Sequence, residues 1–411
     1  MLDEKAFLTA STALSGEMFA HPYYNRIWRE FERITRNGKT IDFVTVSSGI
    51  DPVEIPQAEL NKLLMESTVD VKGWKVKEYA DIVAKEYKAR KFDAIRTAFK
   101  ADPKKIDNQT AELINQLEEL GSVNDRKTMT ADKAVEKYAG NLFTADREKG
   151  IATGYRQLDE ILGNMYGGEM VIMAARPAVG KSALSTEIAI NIAKAGKRVS
   201  LFNLEMSNEQ LFQRLIAHES GITLSRIRGA TALNGREESE LFDSGLESIK
   251  ELGERLRMCD SMFKVSHMAA EMRRHKSDIA IIDYAQLIKP ESDYKGNRTA
   301  EVGQISHSLK MTAKRLKIPV IVLAQLNRLS TTTKTKEPTM SELRESGDFE
   351  QDADKIVLLW NKTEDKKLKG VKVEKNRMGN TGKIEMRFDG AIMKFDEVEF
   401  VGAYESPFKG D

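Results

Sequence analysis

The residues with the clearest chemical pattern are 175–182, which read ARPAVGKS. They follow an apolar strand candidate, Met170–Ala175, and precede a helical pattern of leucine and isoleucine residues. A strand, a loop and a helix in this order are the context that a phosphate-binding P-loop requires. Backbone N–H groups at the start of such a helix point at an anion, and the helix dipole favours the negative charge. The segment is therefore predicted to bind the phosphates of a nucleotide.

Single residues of this loop have predicted roles. Lys181 is expected to pair with the β- and γ-phosphates of ATP, and the Ser182 hydroxyl is expected to ligate Mg²⁺. Ala175 replaces the first glycine of the G-x-x-x-x-G-K-[ST] pattern, and we expect this difference to be tolerated. An ordinary strand–helix turn is the alternative, and the flanking elements make it the weaker one. The predicted nucleotide contacts are Ala178, Val179, Gly180, Lys181, Ser182 and Ala183.

A P-loop requires a second strand that ends in an acidic residue near the Mg²⁺, and Asp283 is the candidate. It follows the buried-strand pattern of residues 279–282. Ligands gather at this end of the strands in open α/β sheets. We expect Asp283 to hold the metal through a water molecule. A solvated Asp at a strand end is the alternative, which the neighbouring P-loop makes the minority interpretation.

The carboxylate that activates water must come from another strand, because the residue after Asp283 is Tyr284 and not a glutamate. Glu205 follows the strand predicted for residues 198–204 and is well placed to orient the attacking water. Ser207 then predicts a helix N-cap. A surface glutamate near a helix cap is the alternative, and we favour the base because the site otherwise lacks one.

Gln325 follows the apolar part, residues 319–324, of a further predicted strand. Its amide could sense the γ-phosphate and relay its presence to the loop that follows. A plain polar residue at a strand end is a serious alternative. The most loop-like stretch of the chain comes next, at residues 329–338, LSTTTKTKEP, which are polar and have no periodicity.

Composition limits the class of protein. The 411 residues include 64 Lys and Arg against 63 Asp and Glu, and 41% are hydrophobic, which indicates a globular chain of two or three domains. A uniformly basic, histone-like protein is excluded, whereas a locally basic surface for nucleic acid is not. Cys259 is the only cysteine, so no intramolecular disulfide can form. No apolar run reaches the ~20 residues of a membrane span, and the N-terminus, MLDEKAFLTA, is acidic without the apolar region of a signal peptide, so a cytoplasmic location is expected.

Hydrophobic periodicity divides the chain into a helical domain at residues 1–120, a linker at 121–149 and an α/β domain at 150–411. In the first domain, one apolar helix face is expected at Tyr79, Ile82, Val83 and Tyr87. In the third, strand and helix patterns alternate, which is typical of a parallel sheet. The predicted strands are Met170–Ala175, 198–204, 279–284, 319–326, Lys355–Asn361, 371–377, 383–388 and 391–395.

The linker has a polar break at residues 121–125 and a predicted amphipathic helix over 131–143. A short helix is marginal alone in water, so its apolar stripe, which includes Val135 and Tyr138, must be buried. The stripe packs either on its own chain or on a neighbouring subunit. The pattern alone slightly favours its own chain.

Several segments occur together in a recognisable order. They resemble the motor domain of the DnaB-type replicative helicases over about residues 150–398, and residues 19–46 resemble the helical domain of that family weakly. LRESGDFEQDAD is the most specific segment, because a RecA-like recombinase is not expected to carry it. The segments are ARPAVGKS, LEMS at 204–207, IIDYAQLI at 281–288, LAQLNR at 323–328, SELRESGDFEQDAD at 341–354 and EKNRMGN at 374–380.

The resemblance implies a RecA-like ATPase domain that assembles as a homohexameric ring around single-stranded DNA, with ATP between subunits. Lys375 and Arg377 match positions that reach into the neighbour's site, and Arg377 matches the arginine finger. Such a finger adds positive charge where the transition state spreads negative charge. Without the motif, a solvated strand face would be the better interpretation of both residues. The residues that match the family's own-chain nucleotide motifs are Lys181, Ser182, Glu205, Asp283 and Gln325.

The resemblance also implies a DNA contact. Arg344, Glu345 and Gly347 match the family's DNA-contacting loop in the central channel. Without the resemblance, a helix start with a surface charge pair would be the better interpretation of these residues. No aromatic residue is interleaved there, so we expect sequence-independent, salt-dependent binding to the sugar-phosphate backbone. Residues 329–338 are a candidate second channel loop.

The expected function is an ATP-dependent 5′-to-3′ helicase at the replication fork, with its direction taken from the resemblance. A helicase loader and a primase are expected partners, and no association with a membrane is expected. A RecA-like strand-exchange ATPase and a non-unwinding loader or ring scaffold remain alternatives. The chain begins one or two helices short of the usual N-terminal domain, which puts the N-terminal collar and primase docking in doubt and favours a phage or mobile-element source. The linker helix at 131–143 resembles the element that packs on the adjacent subunit.

Overall fold

The computed structural model describes residues 4–66, 75–103, 106–122, 130–141, 150–229, 233–291, 298–326 and 337–398. The chain divides into two compact units, Met1–Arg147 and Glu148–Asp411. The first unit has one hydrophobic core, and the second has two. None of the described helices is long and apolar enough to cross a membrane.

The first unit is built from helices, as predicted. In the second helix, Pro22 occupies the first turn, where its missing N–H costs nothing, and Trp28 and Phe31 on the inner face are buried. The Phe7 ring packs 5.0 Å from the Trp28 ring, centroid to centroid. The helices are α1 (Glu4–Ser11), α2 (Pro22–Arg36), α3 (Phe43–Ser48), α4 (Gln57–Glu66), α5 (Val76–Ala98), α6 (Ile106–Ser122) and α7 (Ala131–Tyr138).

The apolar face predicted for α5 is partly wrong. Tyr87 is buried as expected, but Tyr79 and Ile82 are about half exposed, and Ala80 and Ala84 are buried instead. Small side chains allow a helix to approach its neighbours closely, so α5 packs through its alanines. Tyr79 and Ile82 are left on an adjacent, more exposed strip of the helix.

The predicted linker begins inside a helix. α6 runs through Ser122, so the polar break expected at 121–125 starts in its last turn, and residues 123–125 lie outside the described residues. α7 and the 3₁₀ turn Ala139–Asn141 cover most of the helix predicted over 131–143. No residue of α7 is buried, and Val135 and Tyr138 are 64% and 52% exposed. Its apolar stripe is therefore not buried by any of the described residues.

The second unit is an α/β domain around a nine-stranded sheet in the order β3-β2-β4-β5-β1-β6-β7-β8-β9. The strands from β3 to β6 in this order are parallel, and β6 to β9 form an antiparallel meander. The strands are β1 (Met170–Ala175), β2 (Val199–Asn203), β3 (Leu256–Cys259), β4 (Ile279–Asp283), β5 (Val320–Gln325), β6 (Lys355–Asn361), β7 (Leu368–Asn376), β8 (Gly382–Asp389) and β9 (Lys394–Glu397).

The predicted α/β class with a parallel sheet is confirmed, and two strand predictions need correction. β3 has no counterpart among the predicted strands, because this half-buried edge strand of four residues has no continuous apolar run. The last strand is predicted at 391–395 but spans Lys394–Glu397, since residues 390–393 form the turn that enters it.

Helices cover both faces of the sheet. Alternate residues of β1 point to opposite layers: Val171 and Met173 join one core, and Ile172 and Ala174 join the other. The helices of this unit are α8 (Arg156–Leu162), α9 (Lys181–Lys194), α10 (Asn208–Ser220), α11 (Leu224–Arg228), α12 (Gly235–Leu252), α13 (Val265–His275), α14 (Arg298–Leu316) and α15 (Gly347–Asp352).

A buried histidine joins α9 to α10. His218 Nε2 lies 3.3 Å from Glu187 Oε1 on α9, and its Nδ1 lies 3.1 Å from Glu219 Oε1. Burial by itself would lower the pKa of His218, but the hydrogen bonds and charges of the two carboxylates outweigh it and raise the pKa to about 9. His218 is therefore charged at neutral pH and holds the two helices together.

We expect the His218 contribution to stability to be complete below its unfolded pKa of about 6.5 and to disappear as the pH rises through about 9. Urea unfolding at pH 6 and at pH 9.5 should show a loss of stability that is larger in the unmodified protein than in His218→Gln. An equal loss in both proteins would contradict this role.

Candidate nucleotide-binding site

The P-loop forms the turn between β1 and α9. Gly180 has a φ of +113°, a left-handed conformation that favours glycine, and a Cβ there would lie 3.3 Å from Phe395 Cζ. Ala178 is also left-handed, with a φ of +61°. The side chain of Ala175 is buried as the last residue of β1, which accommodates the methyl group that replaces the usual hydrogen of glycine.

The start of α9 supplies donors for an anion. Leu184 N donates to Gly180 O at 3.0 Å, which begins the helical hydrogen bonds. The N–H groups of Lys181, Ser182 and Ala183 come before this bond and have no acceptor within the helix. Together with the helix dipole they make this turn suited to binding a phosphate group.

Two charged residues meet beside this turn. Lys181 Nζ lies 3.8 Å from Asp283 Oδ1 and 4.8 Å from the centroid of the Tyr284 ring. Burial lowers the pKa of Lys181, while the charges of Asp283 and Glu205 act in the opposite direction. The ammonium group is thus poorly hydrated and lies beyond hydrogen-bond distance of the carboxylate, so it can turn to a phosphate oxygen.

The acidic residues come from adjacent strands. Asp283 ends β4, which pairs in parallel with β2, and Asn203 lies opposite it in register. Leu204 N donates to Asp283 O at 2.7 Å, which fixes the backbone before Glu205 against the end of β4. The sequence predicted both strand ends, and the parallel pairing brings them to one edge.

Asp283 has the properties of a residue that holds a hydrated cation. Its side chain is 3% exposed, and Oδ1 accepts no hydrogen bond from the described residues. No cluster of three metal-ligating side chains occurs in the described part of the chain. A Mg²⁺ that takes a hydroxyl, one carboxylate through water and phosphate oxygens needs no such cluster. Ser182 and Asp283 therefore fit the cation.

A cavity of about 250 Å³ opens next to these residues. Its lining includes two arginines that the sequence reasoning missed. Burial lowers the pKa of Arg214, and the charges of Asp283 and Glu205 oppose this shift. The signal was present in the sequence, because Ser207, Gln210 and Arg214 have the spacing of one face of α10. The cavity is lined by Ser182, Glu205, Met206, Gln210, Gln213, Arg214, Leu224 and Arg228.

The helix cap before Arg214 forms as expected. Ser207 Oγ accepts from Gln210 N at 3.2 Å, and Gln210 Oε1 accepts from Ser207 N at 3.1 Å, which is a complete capping box. The cap fixes where α10 begins and therefore which of its residues face the cavity.

Gln325 lies at the same edge of the sheet. It is the last residue of β5, in register with Ala175 of β1, and its side chain is exposed. Its backbone carbonyl oxygen accepts a hydrogen bond from Gln286 Nε2 at 3.4 Å. The structure thus places Gln325 beside the root of the P-loop.

Lys375 and Arg377 lie at the opposite edge. Lys375 pairs with Ile356 at the start of β6, and Arg377 N donates to Asp354 O at 2.9 Å. This is the edge where β1 begins, whereas the P-loop follows the end of β1. At ~3.3 Å per residue, the six residues of β1 separate the two edges by roughly 20 Å. One chain does not bring Lys375 or Arg377 to its own P-loop.

Both of these cations are held by a helix end. Lys375 Nζ donates to Glu350 O and Arg377 Nη2 donates to Gln351 O, each at 2.6 Å. Burial lowers the pKa of Lys375, and the charge of Arg377 adds to this effect. The carbonyls belong to α15, whose C-terminus favours positive charge.

Arg344, Glu345 and Gly347 lie on a helical backbone and not in the loop that was predicted. The 3₁₀ helix Met340–Ser346 contains the first two, and α15 begins at Gly347. The side chains of residues 344–347 lie outside the described residues. So does the second predicted channel loop, 329–338, apart from its last two residues.

Comparison with known protein families is decisive. Residues 150–397 match the model of the DnaB-like helicase C-terminal domain, and residues 1–85 match that of the DnaB-like helicase N-terminal domain. This chain belongs to the DnaB-like helicase family. The resemblance drawn from the motifs is therefore confirmed, and the family match extends to the N-terminal unit.

Similar proteins cover most of the chain. The replicative DNA helicase DnaB of Geobacillus stearothermophilus is 30% identical over 420 residues, with 97% of this chain and 92% of the relative covered. A probable plasmid replicative DNA helicase of Chlamydia muridarum is 36% identical over 264 residues, covering 61% of this chain and 56% of the relative. DnaB-family chains of bacterial and plasmid replication are thus both similar to this one.

Solved structures agree with the fold. A DnaB-like replicative helicase, described with its interactions with primase, has a TM-score of 0.70 and 25% identity and covers 96% of this chain and 99% of its own. A second solved structure, which consists of an ATPase domain, has a TM-score of 0.60 and 28% identity, over 66% of this chain and 100% of its own. The prediction of an ATPase domain of this family is confirmed.

We expect Lys181→Ala to lower the ATP hydrolysis rate by about 100-fold or more, because it removes a poorly hydrated cation from the phosphates. Lys194→Ala is the matched control, since Lys194 lies in the last turn of the same helix and pairs with Glu219. The rate of phosphate release measures ATP hydrolysis by both variants. Hydrolysis retained in Lys181→Ala would remove the P-loop assignment.

Proposed function

We propose that this chain is an ATP-dependent replicative DNA helicase that works as a homohexameric ring and moves 5′ to 3′ on single-stranded DNA. The observation that carries the proposal is the separation of two half-sites. Lys181, Asp283 and Glu205 meet at one edge of the sheet, and Arg377 lies at the other. A complete hydrolytic site therefore requires two chains, with ATP between them.

Within one half-site, each residue has a distinct role. Lys181 and the first N–H groups of α9 bind the β- and γ-phosphates, and Arg214 adds a further positive charge from α10. Glu205 lines the same cavity and orients the attacking water. Gln325 detects the γ-phosphate from the end of β5. Lys181 is 11% exposed, and its partly buried position strengthens its interaction with developing charge.

A magnesium ion fits between the strand ends and the nucleotide. The Ser182 hydroxyl would ligate it directly, and Asp283 would hold it through water at Oδ1, which has room for such a partner. When bound, the ion neutralises charge on the β- and γ-phosphate oxygens. Asp283 also keeps Lys181 oriented toward the phosphates.

The neighbouring subunit supplies Lys375 and Arg377. Arg377 is 48% exposed in the single chain, although its guanidinium contacts α15. An arginine that enters from the next subunit makes hydrolysis depend on how the two subunits meet, which couples chemistry to the geometry of the ring. Lys375 would support it from the same strand.

The N-terminal part supports assembly. We assign residues 1–120 to a helical domain, 121–149 to a linker and 150–411 to the motor. The exposed stripe of α7, with Val135 and Tyr138, has the character of a helix that docks on an adjacent subunit. A helicase loader and a primase are the proposed partners, and the primase in the description of a similar structure supports the second.

The proposal is tested by ATP hydrolysis and strand separation in one tube, with forked duplexes that carry a 5′ or a 3′ single-stranded tail. Hydrolysis should rise with single-stranded DNA, and only the 5′-tailed fork should open. Unwinding that requires the 3′ tail would contradict the direction. Stimulated hydrolysis without unwinding by a preassembled ring would favour the strand-exchange or loader functions.

We expect Arg377→Ala to bind nucleotide with nearly unchanged affinity and to lose hydrolysis by about 1,000-fold, as for other arginine fingers. Mixing it with Glu205→Ala should restore hydrolysis, because some interfaces then combine an intact Glu205 with an intact Arg377. The control is a mixture of Arg377→Ala with the double variant Glu205→Ala, Arg377→Ala. No interface in this mixture combines an intact Glu205 with an intact Arg377. If the first mixture is as inactive as the second, Arg377 does not act between subunits.

Arg344→Ala should weaken binding of single-stranded DNA by about tenfold and lower its salt dependence, because one phosphate contact is lost. Hydrolysis without DNA should stay the same. Arg387→Ala, on the exposed side of β8, serves as the control for loss of one positive charge. Fluorescence anisotropy of a labelled oligonucleotide at several salt concentrations measures both variants, and an unchanged affinity in Arg344→Ala would remove it from the DNA contact.

A further inference from the structure

A buried ion pair ties the P-loop to the segment that carries the proposed DNA contacts. Arg176, the second residue of ARPAVGKS, donates from Nε and Nη2 to the two carboxylate oxygens of Glu342, each at 3.0 Å. The two side chains are 15% and 6% exposed. Paired parallel hydrogen bonds fix orientation as well as distance. The root of the P-loop and the 3₁₀ helix therefore cannot shift against each other while this pair is intact.

The backbone after Glu342 is helical without a break. The 3₁₀ helix Met340–Ser346 runs directly into α15, so residues 340–352 form one stretch that contains Arg344. Leu343 and Phe349 are buried and anchor it in the core on one face of the sheet. We call residues 340–354 the relay segment. Its continuous helical backbone connects Glu342 directly to residues 344–347.

The far end of the relay segment reaches the residues proposed to act between subunits. Lys375 and Arg377 donate to the carbonyls of Glu350 and Gln351, as described above. Asp354 then accepts from Met170 N at 2.8 Å, at the start of β1. The same segment therefore touches the chain's own P-loop at one end and the finger residues at the other.

Nucleotide charge provides a physical cause for movement at the near end. Arg176 lies within a few residues of the amides that would hold the phosphates. A triphosphate brings more negative charge to this turn than a diphosphate does, and that charge would attract the Arg176 guanidinium, which Glu342 also holds. The strength and alignment of the ion pair thus depend on which nucleotide is bound.

We propose that Glu342 is a positioning residue that couples the nucleotide state of the P-loop to the affinity of the relay segment for single-stranded DNA. The proposal rests on the proposed function, because it takes residues 344–347 to contact DNA. Nucleotide and DNA then affect each other's binding through this pair by the same factor.

The test variant is Glu342→Gln, which removes the charge and keeps the size of the side chain. Anisotropy of a labelled oligo-dT measures DNA affinity in the full-length protein with a non-hydrolysable ATP analogue and with ADP. We expect the ratio of the two affinities to fall by about tenfold toward one, while the affinity for the analogue without DNA stays within about threefold. A purely structural role would lower both DNA affinities together and leave their ratio unchanged.

Two further variants control for general effects. Glu271→Gln removes another buried carboxylate, which lies on α13 and pairs with Arg257 of β3 and with Arg274. This variant should leave the ratio of the two DNA affinities unchanged. Glu342→Asp keeps the charge and should retain most of the coupling.

Three outcomes would overturn the coupling role: an unchanged ratio in Glu342→Gln, an equal loss in Glu271→Gln, or no rescue by Glu342→Asp. Failure of the unmodified protein to bind the oligonucleotide with any nucleotide is a different result, visible before any variant is compared. It would overturn the proposed DNA function and the coupling with it.

Discussion

Lys181 and Asp283 lie 3.8 Å apart where little water reaches them, and this meeting depends on the parallel pairing of the central strands. β1 delivers the P-loop and β4 delivers Asp283 because both strands run the same way and end at the same edge. The pair is too long for a hydrogen bond, so neither group is fully satisfied by the other. In the proposed complex, a phosphate group and a hydrated cation would complete the interactions that the protein leaves open.

The direction of the strands also separates the two halves of the proposed hydrolytic site within a single chain. β7 runs antiparallel to β6 and returns to the edge where the parallel strands begin, so Lys375 and Arg377 end far from their own P-loop. In the proposed ring of identical chains, such an edge would lie against a neighbour's P-loop at every interface. Oligomerisation would then complete the hydrolytic site.

The relay segment connects the two edges of the sheet, and polar contacts hold both of its ends. The Arg176–Glu342 pair fixes one end of residues 340–354, and Asp354 fixes the other against β1 and Lys310. Buried ion pairs add little net stability when compared with apolar residues, but breaking one is costly. That asymmetry suits a connection through which the state of one site affects the other.

Local sequence determined the parts of this protein whose signal is short-ranged. Continuous apolar runs predict β1 and β6, and the spacing of Ser207 to Gln210 predicts the helix cap. The seven adjacent residues before Ser182 predict the P-loop. The motif order identified the family. These features depend on neighbours in the chain, so pattern and propensity suffice to find them.

Only the tertiary structure decided the contacts between distant segments. The sequence has no local mark for the pairing of Arg176 with Glu342 or for the edge strand β3. The buried face of α5 was misjudged for the same reason, since Ala80 and Ala84 belong to a core that also includes residues of α1 and α2. Which side chains meet is set by strand order and helix packing, and these are properties of the whole fold.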